Sequence, residues 1–127
     1  MIIEYPVKPK PAPRPRVTKF GTYNDKNYTS WKNGLKLLSK SKIKQPLDGA
    51  IEINIKFLYS IPKSWCKKDK ENANYHTFKP DIDNLIKSVL DGLNGIVYKD
   101  DSQVCKIEAI KRYSDKDSVI INIKNIL

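Results

Sequence analysis

The chain has 127 residues, of which 39% are hydrophobic and 30% charged, with a formal net charge of +10. That length is one domain's worth of chain and that composition excludes a disordered tail. No apolar run approaches the roughly 20 residues needed to cross a bilayer, so a membrane role is not expected. The opening MIIEYPV lacks the charged-then-apolar layout of a secretory signal, which predicts a cytosolic protein. Cys66 and Cys105 have no paired spacing, and a reducing cytosol disfavours a disulfide between them.

The charge is uneven. Residues 1–63 carry 13 Lys or Arg against 4 Asp or Glu, a net of +9, whereas residues 64–127 carry 11 against 10, a net of +1. Such an excess suits a polyanionic partner, nucleic acid first, although a solvated lysine-rich surface gives the same count.

In chain order, residues 2–7 read as a short strand. The stretch over 8–24 follows, with five prolines between Pro6 and Pro15, which forbid helix and disfavour a central strand. It predicts a stiff, extended loop holding Lys8, Lys10, Arg14, Arg16 and Lys19 outward. Tyr28, Trp31, Leu35 and Leu38 recur at helix spacing, with Lys32, Lys36 and Lys40 on another face, so a helix is expected over 27–42. Its aromatic residues share the leucine stripe and so belong to the core rather than to a base-stacking platform.

Residues 51–57 alternate strictly. Ile51, Ile53, Ile55 and Phe57 face one way and Glu52, Asn54 and Lys56 the other, the pattern of a half-buried strand. A short helix and a loop come next, with Trp65 as their anchor. Ile82, Leu85, Ile86, Val89, Leu90 and Leu93 predict an amphipathic helix over 81–93, opened by Pro80 and an acid and stopped by Asn94-Gly95. Two further strands, over 103–113 and 118–126, are joined across 114–117 and are expected to pair as an antiparallel hairpin. The sum is a small α/β (α+β) domain spanning 1–127, with one mixed sheet and two or three helices.

Acids gather in KPDIDNLIKSVLDGLNGIVYKDDSQV, residues 79–104. Asp81 and Asp83 stand at the mouth of the helix, and Lys87 lies on the same face as Asp83. Asp100 and Asp101 follow where the chain doubles back, which predicts that they return towards the helix start. Crowded carboxylates repel one another, and a hard divalent cation such as Mg²⁺ or Mn²⁺ relieves that repulsion. Taken singly, each acid also fits a helix cap, a surface ion pair or a turn. Spacing alone leaves these readings open. His76, the lone histidine, is assigned no catalytic part.

The combination D-x-D-N-L-x-K, then D-x-L-N-G, then D-D-S-Q resembles the signature of RusA-type Holliday junction resolvases. The likeness is close over 79–104 and looser at PRPRVTKFGTYND and YSIPKSW. It implies a RusA-like fold and a homodimeric, metal-dependent endodeoxyribonuclease of bacteria and their prophages, acting on four-way junctions in recombination and repair. It further implies that Asp81, Asp83 and Asp101 bind the metal, that Lys87 is needed for cleavage, and that Asp100 has a supporting role. Arg14, Arg16, Lys19 and Lys79 become candidate DNA contacts. Some relatives carry a run of arginines before the first aspartate. Here Lys79 and Pro80 stand there, which affects affinity and sequence preference rather than chemistry.

In that setting Lys87, while charged, serves as a stabiliser of transition-state charge rather than as a base. Two other functions share these residues. One is a nuclease for flaps, forks or other branched DNA. The other is a non-catalytic basic DNA-binding module whose aspartates are caps and ion pairs.

Overall fold

The apolar alternation of residues 51–60 produces the strand on which everything else is built. In the computed structural model this strand occupies the middle of a four-stranded sheet of order β1-β6-β4-β5. The strands are β1 (Ile2–Tyr5), β4 (Ile51–Ser60), β5 (Val104–Ser114) and β6 (Ser118–Asn125). A separate small hairpin pairs β2 (Arg16–Thr18) with β3 (Gly21–Tyr23). The helices are α1 (Lys26–Lys42), α2 (Lys67–Glu71) and α3 (Ile82–Leu93). The described residues are 1–13, 16–18, 21–23 and 26–126, with backbone alone for the residues of the small hairpin.

The domain is thus α+β with a mixed sheet: β4 runs parallel to β5 and antiparallel to β6, and β1 is antiparallel to β6. The expected hairpin between the last two strands does not form, because β4 lies between them. Its inward residues, from Ile51 to Tyr59, are all 5% exposed or less, and as an edge strand it would leave one row of backbone N–H and C=O groups unpaired. Placed centrally, it pairs on both sides. The three residues between Ser114 and Ser118 step over its end, where the Ser60 amide donates to Asp117 Oδ1 at 2.8 Å.

Both long helices cover one face of the sheet. α1 packs on α3 and β1, and α3 packs on β5. The core between them and the sheet includes Leu35, Ile53, Phe57, Leu85, Val89, Leu93 and Ile121, none more than 2% exposed. Burying each such side chain contributes about 1.5–3 kcal/mol. The helix stripes agree with the sequence reading: Tyr28 and Leu35 are buried, and Trp31 and Leu38 pack partly buried on the core. Gly92 sits where α3 touches α1; a Cβ there would lie 2.7 Å from Leu35 Cδ1 and 3.3 Å from its Cβ. Lys36, expected on an outer face, instead donates to the carbonyls of Asp91 and Asn94 at 3.4 and 2.8 Å and so caps the C-terminus of α3.

The proline arm runs without regular structure from residue 6 to 13, but it is not held outward. The Ala12 amide donates to the Asn84 carbonyl at 3.1 Å, and the Trp31 indole N–H donates to the Lys8 carbonyl at 3.0 Å. The arm is therefore tied to the first turn of α3 and to α1. Beyond it, the short hairpin of β2 and β3 replaces part of the expected loop.

Candidate functional site

Asp81 is the N-cap of α3, with extended backbone (φ −69°, ψ 144°), yet its side chain makes no capping hydrogen bond. Asp83 follows in the first turn, where a negative charge is favoured by the helix dipole. Lys87 lies one turn on. All three are exposed, and none forms an ion pair with another described residue. Neither the cap nor the surface pair is therefore realised at this end of the helix. The carboxylates are uncommitted.

The turn that presents them is fastened from the sheet. Lys111 of β5 donates from Nζ to the carbonyls of Phe78 and Pro80, at 2.5 and 2.7 Å, bracketing the cis Lys79–Pro80 bond. Burial lowers the Lys111 pKa, and the charge of Asp81 opposes that shift. Nothing in the alternation of β5 distinguished this lysine from its neighbours, so the sequence reading missed it.

Asp81 opens onto a groove of about 940 Å³ between the proline arm and the loop before α3. Lys8, Lys10 and Lys79 line it together with Trp31 and Asn84. Lys79, a candidate DNA contact, is thus one of the cations of this groove. Arg14 and Lys19 lie outside the described residues, and of Arg16 only the backbone, in β2, is described.

The second pair of acids is elsewhere. Asp100 is a cap: its carboxylate accepts from the Ser102 amide at 3.3 Å, while Gln103 Oε1 accepts from the Asp100 amide at 3.1 Å. This capping box starts the 3₁₀ turn Asp101–Gln103, and the same Gln103 donates to the carbonyls of Leu47 and Gly49. The hydrogen bond from Ser102 is the main reason that the Asp100 carboxyl is held below its ordinary pKa. Asp101 has no such bond and stays exposed. Burial, then the charge of Asp101, raise the pKa of Tyr98, whose hydroxyl donates to the Leu90 carbonyl at 2.9 Å. Asp100 and Asp101 therefore lie by the C-terminal end of α3.

This corrects the expectation that they return to the helix start. The 12 residues of α3 extend about 18 Å. Lys111, beside Asp81, is seven residues beyond Val104, or about 23 Å of strand. Asp81 with Asp83, and Asp101, occupy opposite ends of the helix. Consistently, no three His, Cys, Asp or Glu among the described residues form a group able to hold a metal ion. Within one chain the acidic set does not fit the cation.

Residues 6–124 match the family model described as Endodeoxyribonuclease RusA. The chain belongs to the RusA endodeoxyribonuclease family. Two relatives extend the likeness. A Bacillus subtilis (strain 168) protein named "Uncharacterized protein YqaN" is 38% identical over 86 residues, 63% of this chain and 61% of its own. A Lactococcus phage r1t protein named "Crossover junction endodeoxyribonuclease rusA" is 30% identical over 92 residues, 70% of this chain and 66% of its own. The match thus spans less than two thirds of either relative's length. In RusA-family terms, the stretch over 79–104 lies inside the matched region, and no helix among the described residues is long and apolar enough to cross a membrane.

Proposed function

We propose that the chain is a divalent-metal-dependent endodeoxyribonuclease that resolves Holliday junctions by paired phosphodiester cuts. It acts as a homodimer in a bacterial or phage-infected cytoplasm, in recombination and repair. The observation that carries this reading is the start of α3. Asp81 and Asp83 stand there with no cap or ion pair to occupy them, at the lip of a groove lined by Lys8, Lys10 and Lys79.

The lysines suit a polyanionic backbone, and carboxylate oxygens suit Mg²⁺ or Mn²⁺. Lys87, on the helix face beyond Asp83, is assigned to the charge that builds on the phosphate in the transition state. Asp101 is the third metal-binding acid of this reading, and Asp100 supports it by capping the turn that carries it. Because α3 separates Asp101 from Asp81 and Asp83, a second copy is needed to complete the set, with Asp101 of the partner subunit meeting the start of α3. A two-fold dimer then offers two equivalent sites to a two-fold junction, which accounts for cuts in pairs.

The deciding experiment incubates the protein with a synthetic four-way junction, a fork and a linear duplex, with and without Mg²⁺. Symmetric nicks in the junction alone, and only with Mg²⁺, are expected. Preferential cutting of forks or flaps would instead assign a nuclease for other branched DNA. Tight binding without cutting of any substrate would assign a non-catalytic DNA-binding module, the reading favoured by the divided acids of the single chain.

A further inference from the structure

Beside the lysine groove lies a second, smaller one of about 290 Å³, and the two share Lys8, Tyr59 and His76. Its walls are mostly aromatic. The His76 ring stacks on Tyr59 at 3.9 Å with an interplanar angle of 15°, and it meets the edges or tilted faces of Tyr113 and Phe78 at 5.2 and 6.2 Å. Trp65 closes the far side, edge-on to Tyr113 at 5.0 Å. Most of these rings support one another, but Phe78 is 63% exposed and offers its ring to solvent at the edge of the aromatic groove.

Two polar atoms in this lining have no hydrogen-bond partner among the described residues: the Tyr59 hydroxyl and His76 Nδ1. Tyr59 is only 5% exposed. Buried polar groups are nearly always paired, so an unpaired hydroxyl and ring nitrogen on one groove wall mark a place for an incoming group. Burial and the nearby Lys111 lower the His76 pKa, which keeps the imidazole neutral, able to donate at one nitrogen and accept at the other. The one acid of the lining, Asp117, is occupied by the Ser60 amide.

We infer that this aromatic groove receives an unstacked nucleobase of the DNA strand whose phosphates follow Lys8, Lys10 and Lys79 to Asp81. An aromatic platform beside a cationic track is the arrangement that binds single strands, because every base has a face to stack and a polar edge to pair. Phe78 and His76 supply the faces, and Tyr59 and His76 supply the polar contacts. The inference rests on the nuclease reading and adds to it a device for holding a strand open next to the cut.

The test compares two fluorescent oligomers of equal length and charge, oligothymidylate and its abasic counterpart, by anisotropy without metal. Oligothymidylate should bind about 5- to 150-fold tighter, the range of one stacked base. Phe78→Ala should abolish that difference while leaving the abasic affinity unchanged. Tyr75→Ala is the control, since Tyr75 is similarly exposed at 57% but lies under Arg112 outside the groove. Equal affinity for the two oligomers, or a Phe78→Ala loss shared by both, overturns the inference. If the same preparation still cuts junctions with Mg²⁺, the nuclease reading survives that result. Failure to bind either oligomer overturns the inference, while the nuclease reading stands or falls separately on whether that preparation cuts junctions with Mg²⁺.

Discussion

A carboxylate at a helix N-terminus normally accepts the free amides of the first turn. Asp81 stands at that position without doing so, and Asp100, at the next such position in the chain, does it fully. Two residues of one type and similar exposure are therefore separated by what their oxygens touch. Asp81→Asn removes no capping bond, so its unfolding free energy should stay within about 0.5 kcal/mol of wild type. Junction cleavage should fall about 10²–10³-fold with binding retained, as when one transition-state contact is lost. Gel-shift and cleavage assays on one preparation check both halves. Lys111 makes the opposite case. It touches no proposed substrate, yet its ammonium holds the carbonyls on both sides of Lys79. Lys111→Met should lower stability by about 1.5–3 kcal/mol, the scale of charge-assisted hydrogen bonds. A urea midpoint equal to wild type would contradict that role.

At the level of elements, α1, α3 and β4 were legible because their apolar periods, 3.6 and 2, are each imposed by burial on one side. The placing of β4 between β5 and β6 was not legible. Alternation identifies a strand but not its neighbour, and the three-residue link after Ser114 is as compatible with stepping over β4 as with turning back beside it. The same blindness affected the site. Asp81 and Asp83 were placed correctly at a helix start, whereas Asp101 was brought to the wrong end, because spacing says nothing about how far a returning loop travels. The aromatic wall of Tyr59, His76 and Tyr113 comes from three separate segments and had no local signal at all.

Two contacts between elements lead to measurable outcomes. Gly92→Ala would push a methyl into fully buried Leu35, and overpacking of this kind costs about 1–3 kcal/mol, more than the helix propensity that alanine returns. Chemical denaturation should show that loss. On the outer face of the sheet, Glu52 bridges Lys106 at 3.1 Å and Lys124 at 3.7 Å, linking β4 to both neighbours. The hydrogen bond from Lys106 is the main cause of a Glu52 pKa below its ordinary 4.5. Its contribution is complete above pH 4.5 and is lost as the pH falls through the lowered folded value. The urea-midpoint gap between wild type and Glu52→Gln should therefore be widest near neutrality and close in acid.

The whole molecule poses the question of copies. If each site takes Asp81 and Asp83 from one subunit and Asp101 from the other, two dead variants should rescue one another. Asp81→Asn mixed with Asp101→Asn, unfolded and refolded together, yields heterodimers with one intact site and one doubly damaged site. Single nicks in the junction are expected from the mixture and from neither variant alone. No rescue, with heterodimers demonstrated by mass, would mean that each subunit's acids act within that subunit. Binding to the junction should weaken steeply with added salt in every variant that keeps Lys8, Lys10 and Lys79, because counterion release does not depend on the acids.

The sheet order also dictates a sequence of events at the ribosome. Among the described residues β1 pairs with β6, from Ile2 opposite Asn122 to Tyr5 opposite Val119, so it has no sheet partner until β6 emerges. The arm leading from β1, with Lys8 and Lys10, stays unanchored at its root for the same interval. A chain arrested before β6 would lack an interior strand of the sheet and, with it, the partner that fixes the root of the arm. Such late closure between distant segments makes folding slow, and it leaves the root of the lysine-bearing arm unpaired until synthesis has passed residue 118.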